Sequence, residues 1–324
     1  MTKKILIDTD IGTDSDDAIA LALAAASPEL EIVGVIATGK EARHRARLAK
    51  KFLNLAGRPQ VPVFVGADVP VGEGELYWFG HEGEGVITDD EELELDPRSG
   101  VEAYRDLSND TPDLEVVAIG SMSTLARAIT AYPDITDQIS RITIMGGQIR
   151  PTVYADTTIG PGIDYNLCID PAASMTALTS GATITLIPCE VTLQTWLTFA
   201  DADLLGTTGP VGQALQTCVQ AWAPIQQAIF TGVGVGVGDN YDPNNADFLH
   251  DPLTVATTFA SDVCVYEDLW IEPTTVDGIF RTLERPADTP GAVLLQCATQ
   301  VRTTRFHELL MGRLTEGAVG PSAS

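Results

Sequence analysis

Short apolar runs alternate with segments of helical periodicity through the first two-thirds of the chain. The runs that predict strands are residues 4–7, 31–37, 61–65, 114–119, 141–145 and 182–187. The segments that predict helices are residues 16–26, 41–56, 122–131 and 170–179. This alternation is typical of an α/β fold whose open, mostly parallel sheet is flanked by helices. Ligands of such folds bind beyond the carboxyl ends of the strands.

The remaining segments are less regular. Residues 263–283 alternate well enough to predict a β-hairpin, and residues 291–314 predict a closing helix. Residues 68–100 are rich in glycine and acid and are expected to form surface loops. Glycine at every second position disfavours helix and strand, so residues 231–247 predict a mobile loop near the site. No linker composition separates these segments, and residues 1–324 are expected to form a single domain.

Composition narrows the classes of function. The chain has 324 residues, 44% of them hydrophobic, and no apolar run that approaches the length of a membrane span. The amino terminus does not resemble a signal peptide, so a cytoplasmic protein is expected. The net charge of −26 disfavours binding to nucleic acid or to anionic membranes and leaves small neutral substrates and cations. Five cysteines without C-x-x-C spacing predict neither a disulfide framework nor a zinc site.

An acidic loop follows the first predicted strand. Residues 8–17, Asp-Thr-Asp-Ile-Gly-Thr-Asp-Ser-Asp-Asp, contain five carboxylates. Two carboxylates about 4 Å apart repel by roughly 4 kcal/mol at an effective dielectric constant near 20. A divalent cation with oxygen ligands would offset that repulsion, and Gly12 would let the backbone turn sharply. The alternative is an acidic first helical turn, capped by Ser15 or Asp14.

Three further segments carry candidate chemistry. His250 and Asp251 precede a helix-like run, where Asp251 could cap the helix or supply a distant carboxylate to the same metal. Asp164 and Asn166, two apart in an extended segment, would point to one side and together hold vicinal hydroxyls, unless they only form a turn before a helix. Residues 120–126 predict a strand-to-helix turn whose backbone carbonyls could bind a hard cation.

Taken together, these segments resemble the nucleoside hydrolases, also called inosine–uridine-preferring nucleoside hydrolases. The segments similar to family motifs are residues 8–18 (D-x-D-x-G), 120–126 (strand-turn), 145–147 (M-G-G), 164–173 (E-F-N…D-P-x-A-A) and 250–251 (H-D). A family H-G-E-x-G loop resembles residues 81–85 in shifted form. The matches follow the family's order and span roughly residues 5–255.

The resemblance implies calcium-dependent hydrolysis of the N-glycosidic bond of a ribonucleoside, giving a free base and ribose in purine or pyrimidine salvage. It implies that Ca²⁺ is held by Asp10, Asp17, the Ser123 carbonyl and Asp251. Asp10 would also be the general base, and His250 the acid for the leaving base. The implied ribose contacts are Asp16, Met145, Asp164 and Asn166. Family members are commonly dimers or tetramers, which implies a homodimer or homotetramer.

Several positions depart from the family pattern. Gly39-Lys40 stands where the family often has Gly-Asn, so Lys40 either points away from the site or meets an anionic group of a modified or phosphorylated riboside. Thr158 stands in place of an asparagine, and Asp164 is one methylene shorter than the family's glutamate. Asp14 could take the role of one of the two adjacent acids that follow it. These departures predict altered specificity or low efficiency toward standard nucleosides.

Base preference depends on loops that the sequence does not place. The aromatic residues that could stack on a base are Tyr77, Trp78, Phe79, Trp222, Phe230 and Tyr241.

Two other functions fit parts of the pattern. One is a phosphohydrolase with Asp8 as nucleophile and Mg²⁺ as cofactor, which leaves Asp16, Asp17 and His250 without a role. The other is a calcium-dependent riboside-binding homologue with weak or no turnover, which the changes at Lys40 and Thr158 leave open.

Overall fold

Strands and helices alternate along most of the structure. The computed structural model describes residues 2–154, 156–232 and 242–316. Its strands are β1 (Lys3–Thr9), β2 (Leu30–Ala37), β3 (Val63–Val65), β4 (Glu115–Ala118), β5 (Arg141–Met145), β6 (Thr152–Tyr154), β7 (Thr157–Ile159), β8 (Ile184–Ile187), β9 (Trp196–Thr198), β10 (Asn245–Phe248), β11 (Cys264–Val276), β12 (Ile279–Glu284) and β13 (Val293–Val301). Its helices are α1 (Asp16–Ala26), α2 (Ala42–Leu55), α3 (Gly100–Asp110), α4 (Ser123–Ala131), α5 (Ile135–Gln138), α6 (Tyr165–Cys168), α7 (Pro171–Leu178), α8 (Cys189–Thr192), α9 (Phe199–Gly206), α10 (Pro210–Gly232), α11 (His250–Phe259) and α12 (Thr303–Glu316).

One large sheet organises these elements. Its nine strands lie in the order β12-β11-β13-β8-β5-β4-β1-β2-β3. Along this order, every neighbouring pair from β13 through β8, β5, β4, β1 and β2 to β3 is parallel. In contrast, β11 pairs antiparallel with both β12 and β13. The predicted α/β fold with an open, mostly parallel sheet is therefore confirmed, and so is the predicted hairpin near the carboxyl end of the chain.

Helices cover both faces of the sheet because successive residues of each central strand are apolar. In β1, Ile5 and Ile7 join a core with α1, α2, α11 and α12. Leu6, between them, joins a second core with α3, α4 and α7. Strands that bury both faces need continuous apolar runs, which is the pattern seen in the sequence. Within the described residues, no helix is both long enough and apolar enough to cross a membrane.

Three sequence-based element predictions are wrong. The expected helix over residues 291–314 is a strand in its first part, β13, and a helix only from Thr303. Residues 231 and 232 end α10 and residues 245–247 belong to β10, so the expected loop over 231–247 is shorter, and its residues 233–241 lie outside the described part. Asp164 caps the short helix α6, so Asn166 is helical and the two do not share an extended segment.

The sheet order places a binding crevice beside β1. From β1 the chain adds β2 and β3 on one side, and β4, β5 and β8 on the other. Adjacent loops therefore leave the carboxyl ends of β1 and β4 in opposite directions and open a gap between them. Such a reversal of strand order is where ligands bind in open α/β sheets.

Candidate active site

A cavity of about 620 Å³ lies at this end of the sheet, within the size range of ligand sites. The loops after β1, β4, β5 and β8 contribute to it, together with the start of α11. Its carboxylates are Asp10, Asp14, Asp16, Asp17, Asp164, Asp247 and Asp251. The structure thus brings together in one cavity most of the candidate residues: Asp10, Asp16, Asp17, Met145, Asp164, Asn166, His250 and Asp251.

The acidic loop is folded so that three of its carboxylates converge. One oxygen from each of Asp14, Asp16 and Asp17 lies within 4.8 Å of the other two. Gly12 turns the backbone at a φ of +124°, and a Cβ there would approach Leu48 Cδ2 to 3.0 Å. The expected sharp turn at this glycine is confirmed.

Helix capping does not explain these acids. Ser15 occupies the N-cap position of α1, but no side-chain cap forms there. The Ser15 hydroxyl instead donates to Asp247 Oδ2 at 2.5 Å. The backbone N–H of Asp251 donates to Asp16 Oδ2 at 3.0 Å, which links the acidic loop to the start of α11. These carboxylates face one another and the cavity, and none of them caps the helix.

Burial makes this cluster electrostatically costly. Burial raises the pKa of Asp10 to about 7; the Arg45 guanidinium acts in the opposite direction, and the Asp14 charge adds to the rise. Burial, followed by the charge of Asp14, raises the pKa values of Asp16 and Asp247 well above their usual range. Like-charged buried carboxylates need protons or a cation to coexist.

The donor set fits a hard divalent cation. Asp16 Oδ1 and Asp17 Oδ2 are buried without a hydrogen-bond partner. The ionised carboxylates around them offer no hydrogen to donate. Buried polar atoms without partners are rare and call for a missing ligand. Carboxylate oxygens are the ligands that calcium and magnesium prefer. The aspartates of the cavity could therefore hold such an ion.

One candidate metal ligand lies apart from the cavity. Ser123 is fully buried at the start of α4, and its hydroxyl donates to Asp170 Oδ2 at 2.7 Å. Ile119, from the same strand-to-helix turn, lines the cavity, whereas Ser123 is not among the lining residues. Ser123 thus remains a predicted ligand through its backbone carbonyl.

The candidate sugar-binding groups form a second wall of the cavity. Asp164 Oδ2 accepts a hydrogen bond from the Gly147 N–H at 2.8 Å. The side-chain amide of Asn166 donates to the carbonyls of Ile119 at 2.9 Å and Met145 at 3.3 Å. These contacts fix both side chains to the ends of β4 and β5. Burial raises the pKa of Asp164 to about 6.

His250 stands at the start of α11 and also lines the cavity. Its Nδ1 lies 2.6 Å from Thr192 Oγ1. Burial lowers the pKa of His250 to about 4, so its imidazole is neutral near pH 7. A neutral imidazole still donates one hydrogen bond, and neutral histidines of this kind serve as electrophiles in enzymes.

Aromatic side chains line the mouth of the cavity. Tyr77 and Phe79 are 54% and 49% exposed although they are large and apolar, and both line it together with Trp222 and Phe230. Trp78 instead packs against the Arg45 guanidinium, whose central carbon lies 5.4 Å from the centre of the Trp78 ring. Tyr241 lies outside the described residues.

Three functional neighbours were missed from the sequence. Asp247 belongs to β10, two positions before Leu249, and its carboxylate also accepts a hydrogen bond from the Trp222 side chain. Arg45 donates to the Asp10 carbonyl, and Thr192 contacts His250. A carboxylate at residue 247 just before the H-D pair was a visible signal, whereas an arginine in a helix and a threonine after a strand carry none.

Two departures from the family pattern lie away from the cavity. Lys40 is exposed and is not among the residues that line the cavity. Thr158 lies on β7 with an exposed side chain and does not line the cavity either. Of the two alternatives for Lys40, the structure favours the one in which it points away.

Comparisons with known proteins agree over nearly the whole chain. Residues 5–313 match the family model described as inosine-uridine preferring nucleoside hydrolase. The pyrimidine-specific ribonucleoside hydrolase RihA of Salmonella gallinarum is 26% identical over 332 residues, covering 97% of this chain and 99% of that protein.

Solved structures share the fold. The purine-preferring ribonucleoside hydrolase from Gardnerella vaginalis has a TM-score of 0.79 at 25% identity, covering 98% of this chain and 99% of that one. A plant nucleoside hydrolase, PpNRh1, has a TM-score of 0.80 at 23% identity, covering 97% of this chain and 99% of that one. The chain therefore belongs to the inosine-uridine preferring nucleoside hydrolase family, whose members hydrolyse the N-glycosidic bonds of ribonucleosides.

Proposed function

We propose that this protein is a calcium-dependent hydrolase of neutral ribonucleosides that releases the free base and ribose for salvage. The observation that carries the proposal is the cavity itself, whose lining combines carboxylate oxygens that lack a hydrogen-bond partner with Asp164, Asn166 and His250. Neither rival function uses this whole set. A phosphohydrolase built on Asp8 is disfavoured because Asp8 is buried with one carboxylate oxygen held by the Tyr104 hydroxyl at 2.7 Å.

The reaction breaks the bond between ribose C1′ and the base nitrogen. The electron pair of that bond leaves with the base, and positive charge develops on the sugar ring, as in glycoside hydrolysis. A water oxygen then bonds to C1′ while Asp10 takes one of the water protons, and the departed base nitrogen takes a proton from solvent, to which Asp10 returns its own. Carboxylates close to the ring favour this charge development.

The cation would be held by Asp10, Asp17, Asp251 and the Ser123 carbonyl. When bound, it supplies Lewis-acid chemistry that favours loss of a water proton and fixes the ribose hydroxyls. Asp14 and Asp16 lie beside Asp17 within the same cluster. We assign Asp16 to the ribose hydroxyls, with Asp14 as the neighbour that shares the cluster's charge.

The remaining groups have distinct tasks. Asp10 accepts the water proton as general base. Asp164, Asn166 and the Met145 backbone orient the ribose through its hydroxyls. His250 donates a hydrogen bond to the departing base, which stabilises the negative charge that the base acquires.

The charge of the cavity selects neutral substrates. None of the described residues that line it is lysine or arginine, whereas seven are aspartate, and residues 233–241 contain no basic residue either. A phosphate group would lose hydration without gaining a counter-charge beyond the bound cation. A nucleoside 5′-monophosphate should therefore be a poor substrate.

The base binds against the aromatic mouth of the cavity. Tyr77, Phe79 and Trp222 offer flat apolar faces, and a nucleobase gains stacking energy from such faces. The named relatives differ in their base, since one is pyrimidine-specific and another purine-preferring. Both base classes accordingly belong in the assay.

The test is hydrolysis by the purified chain. Inosine, uridine and uridine 5′-monophosphate are incubated with calcium, and free base and ribose are measured by chromatography. We expect base release from the nucleosides, loss of activity with a chelator, recovery with calcium, and little turnover of the monophosphate. Asp10→Asn should lower kcat by roughly 10²–10⁴-fold.

Three outcomes would contradict the proposal. Ribose or nucleoside binding in calorimetry without any base release would favour the non-catalytic binder. Phosphate release from p-nitrophenyl phosphate would favour the phosphohydrolase. Full activity after exhaustive chelation would show that the reaction does not need a metal ion.

A further inference from the structure

A buried hydroxyl contacts the imidazole that faces the departing base. Thr192, at the end of α8, has no exposed surface, and its Oγ1 lies 2.6 Å from His250 Nδ1. His250 is half-buried and lines the cavity. Thr192 is not among the lining residues and therefore contacts the imidazole from behind.

The geometry indicates which group donates. A hydroxyl carries one hydrogen, and the other acceptor near the Thr192 hydroxyl is the Cys189 carbonyl at 3.4 Å, near the limit of hydrogen-bond length. With oxygen acceptors, N–H donors prefer lengths of about 2.9–3.0 Å, and hydroxyl donors form the shorter bonds, of about 2.7–2.8 Å. The 2.6 Å contact therefore fits a hydroxyl that donates to an unprotonated Nδ1.

A neutral imidazole carries its hydrogen on only one nitrogen. We propose that Thr192 is a positioning residue that donates to Nδ1 of His250 and thereby holds the Nε2 hydrogen toward the leaving base. With the opposite tautomer, Nε2 would present a lone pair to the base, and the stabilising hydrogen bond would be lost. This inference rests on the proposed function for its catalytic consequence, but its hydrogen-bond geometry can be tested without turnover.

The surroundings of Thr192 are rigid enough for this task. The Thr195 hydroxyl donates to the Thr192 carbonyl at 2.9 Å. The Leu249 N–H donates to the Thr195 carbonyl at 3.0 Å, which ties the segment carrying His250 to the same turn. Glu190 accepts the Arg150 N–H at 2.9 Å and joins α8 to the loop after β5. Donor and acceptor therefore keep their relative positions.

Two variants separate the hydroxyl from the shape of the side chain. Thr192→Val keeps the shape and removes the donor, whereas Thr192→Ser keeps the donor. Thr258→Val is the matched control, because it removes another buried hydroxyl, which donates to the Val255 carbonyl at 2.7 Å rather than to Thr192 or His250. Thermal unfolding checks that each variant folds.

Two substrates separate leaving-group stabilisation from general damage. The departing base of a nucleoside needs a hydrogen bond or a proton to stabilise its negative charge. The nitrophenolate of p-nitrophenyl β-D-riboside is a stable anion and leaves without a proton. We expect Thr192→Val to lower kcat on uridine and inosine by about 10- to 100-fold, part of the roughly 10²–10⁴-fold that acid–base groups contribute. Its activity on the nitrophenyl riboside should change little. Thr192→Ser should restore nucleoside turnover, and Thr258→Val should leave the ratio between the two substrates unchanged.

A tautomer measurement completes the test. Nitrogen NMR of the ¹⁵N-histidine-labelled wild-type chain, with His250 assigned from a His250→Gln variant, should show an unprotonated Nδ1 and a protonated Nε2. A protonated Nδ1 would overturn the inference, and so would equal losses on both substrates in Thr192→Val. A chain with the expected tautomer but no nucleoside turnover would overturn the proposed function and leave the geometric assignment of Thr192 standing.

Discussion

Three carboxylates that line the cavity each have one oxygen that accepts a hydrogen bond from the protein. The Thr9 hydroxyl donates to Asp17, the Asp251 N–H to Asp16, and the Ser15 hydroxyl to Asp247. The second oxygens of Asp16 and Asp17 have no partner. Single hydrogen bonds fix the direction of these side chains but offset only part of the repulsion between them. A bound cation would supply the rest.

A prediction at this scale concerns Gly120, at the end of β4. A Cβ there would lie 2.7 Å from the Asp10 backbone nitrogen and 3.0 Å from Asp10 Oδ1, closer than real Cβ atoms come to backbone. Gly120→Ala should therefore displace Asp10 and lower kcat on uridine by roughly 10²-fold, the cost of misplacing a reactive group by about 1 Å.

The control for that change is Gly312→Ala. Gly312 lies in α12, and a Cβ at this position would have nothing within 4 Å. Alanine there should stabilise the helix by about 0.5–1 kcal/mol and leave turnover unchanged. Equal activities of the two alanine variants would show that turnover does not depend on the close approach of Gly120 to Asp10.

A second prediction concerns Asp164. Because burial raises the pKa of this carboxyl to about 6, it is ionised at pH 7 and mostly protonated at pH 5. Loss of the ionised acceptor should raise KM for uridine about tenfold over that interval. Asp164→Asn should show a high KM that does not vary between pH 5 and pH 7. A KM that rises just as steeply in this variant would assign the titration to another group.

At the scale of elements, α2 joins the acidic loop to the aromatic mouth. Arg45 in α2 donates to the carbonyls of Lys40 at 2.8 Å and Tyr77 at 3.1 Å, and to the Thr13 hydroxyl at 2.9 Å. Its guanidinium also lies 3.6 Å from Glu82 Oε1, with both side chains almost fully buried. One arginine thus connects three segments that are distant in sequence.

Replacing this arginine should destabilise the protein strongly. Arg45→Met leaves the Glu82 carboxylate buried without its cation, which typically costs about 3–5 kcal/mol. Denaturant unfolding should detect that loss, and Arg43→Met, at an exposed position of the same helix, should cost little. Comparable stabilities of the two variants would mean that the backbone N–H groups of Phe79 and Gly80 suffice to hold Glu82.

Local patterns predicted the elements of the parallel sheet well and the irregular segments poorly. The first helix and β5 match their predicted bounds, residues 16–26 and 141–145, because each is an apolar run bounded by polar or glycine residues. The helix that the sequence predicts over residues 293–301 is wrong because an apolar run alone does not distinguish a buried strand from a helix. Their strand conformation depends on pairing with β8 and β11, which are distant in sequence.

The candidate site followed the same rule. Acids and the H-D pair could be identified because their residue types carry the chemistry. Arg45, Thr192 and Asp247 act through contacts with segments between 35 and 232 residues away, and no local pattern reports such contacts. Tertiary structure was needed to find them.

At the scale of the whole molecule, cation binding and folding are linked. The proposed ligands come from residues 10 to 251, so only the folded chain brings them together. A ligand that binds the native state alone stabilises it by about 2.7 kcal/mol when its free concentration is 100 times Kd.

The predicted homodimer or homotetramer stays a prediction, which light scattering after size-exclusion chromatography would test.

Calcium should accordingly raise the melting temperature of the protein, and chelation should lower it. Asp17→Asn should reduce this calcium-dependent shift, because it removes a charged ligand from the crowded cluster. Asp110→Asn, at an exposed position at the end of α3, is the matched control and should keep the full shift. Differential scanning calorimetry with and without calcium measures both. A shift of the same size in both variants would place the stabilising ion elsewhere.

The hydrogen bond between Asp251 and Asp16 spans 235 residues of the chain. At a synthesis rate of about 5–20 residues per second, the ribosome needs roughly 12–47 s to bridge that separation. During this interval α1 has already been translated, yet the partner of its first carboxylate does not exist. The acidic segment of the nascent chain therefore stays solvated and without this partner until late in translation, and productive burial of α1 must wait for α11.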